Sequence, residues 1–167
     1  MSVIEGTSAM SCVVIRLAVE AFGALVITSL VAGTIALAPI AAGAPGGALA
    51  SAVDQARAAS PCGPFKPDSI AEQTAYITNR ANDVYANHNA RTVPLLDPLP
   101  TMKDLGSTAT RALTLQGAGR NEADAIKFIF INGYRKIADC SLKRYGVDTI
   151  FVAALGYYIT AVVLADG

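Results

Sequence analysis

The strand-like segment at 157–164 constrains the fold most, because it is apolar on both of its faces. It reads YYITAVVL and carries no charge. The segment at 145–152 alternates in part, and the short link at 153–156 ends in a glycine, which is typical of a β-hairpin. A strand that is apolar on both faces must be covered by helices above and below. The sequence therefore predicts an α+β fold, an α/β/α sandwich in which three helices pack on a small antiparallel sheet that ends in a C-terminal hairpin.

Three helices are predicted ahead of this hairpin. The first begins near Ser69, which has capping-box spacing to Glu72, and ends near 88–89. The second begins near Thr101 and is broken by 116–119, and Asn121 caps the third. Apolar residues at helical spacing predict the buried faces: Ile70, Ile77, Ala81 and Val84 in the first helix, Met102, Leu105, Ala109 and Leu113 in the second, and Ile126, Ile129, Phe130, Tyr134 and Ile137 in the third.

The residues at 21–40 form an apolar run that contains no charge and is long enough to span a bilayer. The triplet at 48–50 (Ala-Leu-Ala) fits the small-residue rule for signal-peptidase cleavage. The triplet at 42–44 also fits, but Pro45 would follow that cut. We therefore expect an exported chain in which residues 1–50 are either a cleaved signal peptide or an uncleaved membrane anchor.

The rest of the chain divides into a linker and one domain. Residues 51–67 are rich in Ala, Pro and Gly, and their prolines exclude a regular helix near the end of the segment. This segment is predicted to be an extended linker, and residues 68–167 to be a single domain. Either Met1 or Met10 could be the first residue, since both precede the apolar run.

The charge balance excludes one large class of partners. The chain has 13 Lys and Arg, 13 Asp and Glu, and a formal net charge of +0. Nucleic-acid-binding domains carry a basic patch or stripe, and none is visible here. The sequence therefore predicts no nucleic-acid partner, and membrane contact only through the N-terminal segment.

Three cysteines are present, and Cys12 lies in the leader. Cys62 and Cys140 form an even pair in an exported domain, which favours a disulfide between them. Closing so long a loop stabilises a fold by about 4 kcal/mol in the chain-entropy model. Two free buried thiols are the alternative.

The C-terminal order of helix, Cys-bearing link and hairpin resembles the end of a bacterial CAP domain (SCP/PR-1-like, the cysteine-rich secretory protein superfamily). That family has an E-A helix, a G-H-R stretch, a G-V-G strand and a terminal G-Y-Y strand. The matching residues are Glu122, Ala123, Ala125, Phe128, Gly133, Tyr134, Arg135, Ile137, Tyr145, Gly146, Val147, Gly156, Tyr157 and Tyr158. Further matches to the family's first helix and the turn after it are Asn82, His88, Asn89, Pro94, Leu95, Asp97, Pro98 and Leu99. The resemblance covers about 70–164 and implies a CAP-like fold.

Departures from the family pattern imply a shortened, degenerate and non-catalytic member. Tyr134 stands where the family places a histidine of its cleft, and the segment at 114–120 is too short for the family's missing strand and loops. His88 is the only histidine, and it maps to a helix end rather than to the cleft. No histidine pair is available for a metal or a hydrolytic triad, so we expect no metal, no cofactor and no enzyme activity.

Few residues remain as candidates for a site. A histidine at a helix end, such as His88, usually interacts with the last carbonyls of the helix. Cys140 would be nucleophilic only as an activated, reduced thiol. The tyrosines are most simply interpreted as buried residues whose hydroxyl groups are hydrogen-bonded. The functional alternative is a groove lined by Phe130, Tyr134 and Tyr158 that binds an apolar ligand, since loss of the cleft segment exposes that surface.

The expected function is an exported, non-catalytic binding or interaction module of the cell envelope or extracellular space. Family resemblance implies a lipid or another apolar small molecule as ligand, and a protein partner is the other option. The alternative is a self-associating structural envelope protein, which the apolar terminal hairpin favours. A metal-dependent hydrolase is the third hypothesis, and the residue inventory argues against it.

Overall fold

The structure is a computed structural model, and it describes residues 47–94 and 96–167. The apolar run at 21–40, both candidate start residues, Cys12, the triplet at 42–44 and Leu95 lie outside the described residues. The elements in chain order are α1 (Gly47–Ala58), β1 (Lys66–Pro67), α2 (Ser69–Ala86), α3 (Leu99–Asp104), β2 (Ala112–Gly119), α4 (Glu122–Ile137), β3 (Arg144–Val152) and β4 (Tyr157–Ala165).

The four strands form one sheet in the order β1-β3-β4-β2. The β3–β4 hairpin and the β4–β2 pair are antiparallel, and β1 is parallel to β3. Val162 lies opposite Val147 on one side and opposite Leu115 on the other. The strand that is apolar on both faces is therefore interior, as predicted, because alternate β4 side chains enter two separate cores.

Helices cover both faces of the sheet, which confirms the α/β/α layering. On one face, α1 and α4 contribute to a core whose fully buried members include Leu49, Val53, Ile129, Ile137, Val162 and Leu164. On the other face, α2 and α3 build a core from Ala71, Ala75, Met102, Ala109, Ala161, Val163 and Ala165. Among the described residues, no helix is long and apolar enough to cross a membrane.

The expectation of an extended linker at 51–67 is wrong in its first half, which lies in α1. Leu49, Val53 and Arg57 recur every four residues, and their exposed fractions are 0%, 0% and 2%. One helix face is therefore fully buried. The Ala- and Gly-rich composition hides this pattern, since only three residues of the buried face are large.

The expectation of a long second helix is also wrong. The helix α3 stops at Asp104, and residues 112–119 form the edge strand β2, so the segment at 114–120 does supply a strand. Glycines in that strand allow α4 to lie close, since a side chain on Gly117 would overlap the carbonyl oxygen of Ala125. In the sequence these glycines were interpreted as the end of a helix. In the structure they lie within a strand and allow a helix to approach it closely.

The starts of α2 and α4 agree with prediction to within one residue, and α3 begins at Leu99, two residues before the predicted Thr101. Asp68 rather than Ser69 caps α2, and its carboxylate accepts hydrogen bonds from the backbone N–H groups of Ile70 at 2.8 Å and Ala71 at 3.0 Å. Asn121 caps α4 as predicted, by accepting from the N–H of Asp124 at 2.9 Å. The third-helix face is correct for Ile129 and Ile137, but Tyr134 is 50% exposed.

Candidate functional site

Of the three aromatic residues predicted to line a groove, Phe130 and Tyr134 lie on α4 and Tyr158 lies on β4. Phe130 is half-buried and packs against the α1–α4 core, and Tyr134 lies one turn later on the solvent side of α4. Tyr158 is the second residue of β4, where it lies opposite Gly119, and its ring packs at a tilt against Phe151 with 5.0 Å between centroids.

The register of the sheet shows how far apart these residues lie. Gly133, next to Tyr134, faces the side chain of Leu115, which pairs with Val162. Val162 is four residues beyond Tyr158, a distance of about 13 Å along a strand. A groove shared by all three aromatic residues would therefore have to run along much of the sheet, and its existence stays a prediction.

A second apolar surface lies on α2. Ile70, at the start of the predicted inward face, packs against the core, but the later residues of that face point away from the sheet. Ile77 and Val84 are 37% and 45% exposed. The residues of α2 that pack on the sheet are instead small or polar: Ala71, Thr74, Ala75 and Asn79. The apolar stripe of this helix is thus left largely open.

Two contacts explain why α2 lies on the sheet by this face. The amide nitrogen of Asn79 donates to the backbone oxygen of Asp148 at 2.9 Å and to its carboxylate at 2.7 Å. Nearer the start of α2, Gly146 lies against the backbone of Ala71 and Glu72, where no other side chain fits. This close approach leaves room only for small residues between helix and sheet, so the larger apolar residues face outward.

The chain after α2 turns back and forms the other wall of a groove. His88 adopts a left-handed backbone (φ 60°), and the next N–H, that of Asn89, bonds to the carbonyl of Val84 at 3.0 Å. A left-handed residue of this kind reverses the chain at a helix end. His88 is therefore a helix-ending residue, and its backbone rather than its ring shapes the site.

The resulting cavity, here called the α2 groove, has a volume of about 430 Å³, within the range typical of small-molecule sites. It is lined by Tyr76, Ile77, Arg80, Ala81, Val84, Ala90, Thr92 and Pro94. Arg80 lies 5.4 Å over the ring of Tyr76 and 3.7 Å from the carboxylate of Asp83. The α2 groove therefore offers an apolar trough with one cation at its side.

The described part of the chain presents no arrangement suited to metal chemistry. Within residues 47–94 and 96–167, no three His, Cys, Asp or Glu side chains could together hold a metal ion.

The expected disulfide is present between Cys62 and Cys140, with 5.1 Å between their Cα atoms. Cys140 is thus not a free thiol in this structure.

A buried arginine beside the disulfide was missed by the sequence analysis. The guanidinium of Arg57 donates to the carbonyl oxygens of Gly63 at 2.8 Å, Ile137 at 2.7 Å, Asp139 at 3.0 Å and Leu142 at 2.8 Å. Burial lowers the pKa of this guanidinium, although the negative charge of Asp139 opposes the shift. All four acceptors are backbone atoms, so no residue type in the sequence signals this cluster.

The strand β2 is the second exposed feature, because within residues 47–94 and 96–167 it has a partner strand on one side only. Its segment ALTLQGAG contains no charge and no proline. A cavity of about 270 Å³ beside it is bounded by Asn82 and Phe128 among other residues. The adjoining surface of α4 exposes Phe128, Ile131 and Tyr134 by 53%, 66% and 50%.

The fold resembles those of several solved structures, among them two bacterial proteins. A cysteine-rich secretory protein from Staphylococcus aureus matches with a TM-score of 0.52 and 15% identity, over 72% of this chain and 37% of that protein. An outer surface protein from Borrelia burgdorferi matches with a TM-score of 0.56 and 11% identity, over 71% of this chain and 90% of that one. No protein-family model and no curated protein matches the sequence.

The predicted CAP-like fold is confirmed by the staphylococcal match. The chain spans little more than a third of that protein, so the similarity concerns one portion of it. At these identities the likeness describes the fold alone.

Proposed function

We propose that this chain is an exported, non-catalytic binding module of the cell envelope or extracellular space, and that the α2 groove receives an apolar ligand. The secreted and outer-surface character of the two structural neighbours supports this location. The disulfide supports it as well, because structural disulfides persist mainly in oxidising compartments.

The observation that carries the proposal is the orientation of α2. Its apolar stripe, with Ile77, Ala81 and Val84, lines an open cavity instead of the core. Apolar surface exposed in a concave, partly walled site favours an occupant that removes it from water. Arg80 at the side of the groove suits a ligand with an anionic or polar head, such as a long-chain carboxylic acid or another lipid.

The chemistry of the groove supports a non-catalytic role. Among the described residues that line it, the ionisable groups are Tyr76 and Arg80, and Arg80 contacts the ring of Tyr76 and the carboxylate of Asp83 rather than a nucleophile. Binding and release are thus the functions that this set of residues can perform.

A fluorescent long-chain fatty acid, cis-parinaric acid, tests the proposal on the purified protein. We expect saturable binding that Val84→Asp weakens at least tenfold, because a carboxylate then lies in the apolar trough. Ile131→Asp is the matched control, since it places the same charge on an exposed helix surface outside the groove. Binding that is absent, or equal in all three proteins, contradicts the proposal.

A second candidate function is a self-associating envelope component, favoured by the unpaired edge of β2. Edge strands without charge or proline are templates for pairing with another chain. Ala118 is exposed on this strand, so Ala118→Lys should prevent such pairing without disturbing the core. Sedimentation at micromolar concentration decides the matter: an oligomer that Ala118→Lys dissociates supports it, and a monomeric wild type removes it.

A further inference from the structure

We infer that the tip of the β3–β4 hairpin enters the surface of a lipid bilayer, and that the protein takes its groove ligand from that surface. The inference rests on the proposed function in one respect, since a lipid ligand supplies the reason for a membrane contact. It adds a second contact to the N-terminal one that the sequence predicts. The tip patch is defined here as Phe151, Ala153, Ala154, Leu155 and Tyr157.

The tip patch is apolar and exposed. Phe151, Leu155 and Tyr157 are 54%, 47% and 37% exposed, and the two alanines of the patch are exposed as well. No charged residue occurs between Asp148 and Asp166. Exposed apolar patches of this kind mark a contact with another protein or with a membrane.

The tip patch has the wrong shape for a small-molecule site. Val152, the last residue of β3, is buried, and the chain beyond it forms the exposed turn at 153–156. The space around Gly156 is open, since no atom other than its chain neighbours lies within 4 Å of a side chain placed there. Small-molecule sites are concave. A projecting apolar turn leaves water by entering a deformable apolar phase, which a bilayer offers.

The residues at the base of the tip suit a layer of lipid head groups. Tyr157 combines an apolar ring with a hydroxyl group, a combination that is enriched where hydrocarbon meets water. The guanidinium of Arg120 interacts with this hydroxyl, which raises the pKa of Arg120. Two acids, Glu122 and Asp124, follow in the first turn of α4. Charges of both signs at the base favour zwitterionic phospholipids over strongly anionic ones.

The α2 groove reaches toward the same end of the sheet as the tip. The start of α2 lies against Gly146, and Asn79 further along the helix lies 3.5 Å from the backbone oxygen of Ile159. Ile159 is two residues from Tyr157 in β4. Val84, which lines the groove, follows Asn79 by about 7.5 Å along the helix axis. A bilayer that receives the tip would therefore lie close to the groove.

A single tryptophan tests the inference, because the chain has none of its own. Leu155→Trp places the fluorophore in the tip patch. Ile131→Trp is the matched control on α4, where the exposed fraction is 66%. Each full-chain variant is mixed with phosphatidylcholine vesicles, with and without bromine on the acyl chains, since bromine quenches only a tryptophan that lies in the hydrocarbon. A retained N-terminal anchor affects both variants equally, so the comparison isolates the tip.

We expect vesicles to shift the emission of Leu155→Trp to the blue and brominated lipid to quench it several-fold, with no change for Ile131→Trp. Adding Phe151→Asp to Leu155→Trp should abolish the quenching, because a charge then enters the tip patch. An unquenched tip, or equal quenching at both positions, overturns the inference, and the proposed function stands if the protein still binds cis-parinaric acid in solution. A quenched tip in a protein that binds no fatty acid overturns the proposed function instead.

Discussion

The Nη1 atom of Arg57 donates a hydrogen bond of 2.7 Å to the carbonyl oxygen of Ile137, across 80 positions of the sequence. This contact joins α1 to the C-terminal end of α4. The carbonyl of Ile137 is one that a helix end leaves without an intrahelical partner, and the same guanidinium also satisfies three carbonyls outside the helices. The disulfide closes the same corner of the molecule.

Replacing Arg57 by methionine should destabilise the protein by about 3 kcal/mol, because several buried carbonyls lose a charged donor at once. Urea denaturation followed by circular dichroism measures this loss. Arg111→Met is the control, since its ion pair with Asp139 is half-exposed and should change stability by less than about 1 kcal/mol. Equal effects of the two substitutions would contradict the role assigned to Arg57.

Removing the disulfide in the double variant Cys62→Ser/Cys140→Ser should lower the free energy of unfolding by about 4 kcal/mol. The reason is the long loop that the bridge closes, with a sequence separation of 78 between the two cysteines. Thermal unfolding of the wild type with and without reductant provides the companion measurement. A double variant as stable as the oxidised wild type would show that the bridge adds nothing to the fold.

Gly146→Ala should destabilise by about 3 kcal/mol or prevent folding, because the new methyl group would overlap the backbone of Glu72 and Ala71. Backbone cannot move aside as a flexible side chain can. Gly63→Ala is the matched control, since nothing lies within 4 Å of the added methyl group there. Similar melting temperatures for the two variants would contradict the close packing of α2 on β3.

Stability should fall as the pH rises above about 10, in part through Tyr145. Burial, with the nearby Asp54 carboxylate, raises the pKa of Tyr145 from 10.0 to about 12. The folded state therefore holds this proton when the unfolded state has released it, so the contribution is complete below pH 10 and is lost as the pH approaches 12. Tyr145→Phe should show a smaller loss of stability over this range than the wild type in urea titrations. Identical slopes would contradict the assignment.

The elements that were predicted correctly are those with a local signal in the sequence, such as an apolar run, a helix cap or a turn glycine. The strand at 157–164 was correctly placed in the interior because its apolar residues fill both faces. The α4 helix was correctly placed because Asn121 and the Ile129/Ile137 spacing are local signals. The hairpin link at 153–156 was predicted from the glycine at its end, which is also a local signal. In the structure Gly156 adopts a positive φ of 64°.

The elements that were missed depend on long-range partners. The buried face of α1 contains an arginine whose acceptors are distant backbone carbonyls, and the strand β2 owes its form to pairing with β4. The apolar stripe of α2 was read as core because periodicity identifies a face but not the layer that the face contacts. Asn79 and Gly146 decide that layer. Asn79 has no signal in the sequence, and Gly146 was matched there only as part of a strand, not as a site of helix contact. The α2 groove therefore became visible only in the structure.

Native mass spectrometry of the exported protein, followed by organic extraction, tests the central claim most directly. The account predicts an apolar molecule that copurifies with the wild type and is lost from Val84→Asp, while Ile131→Asp retains it. A wild-type protein that carries no such molecule and binds none when it is supplied would contradict the proposal that the α2 groove is a ligand site.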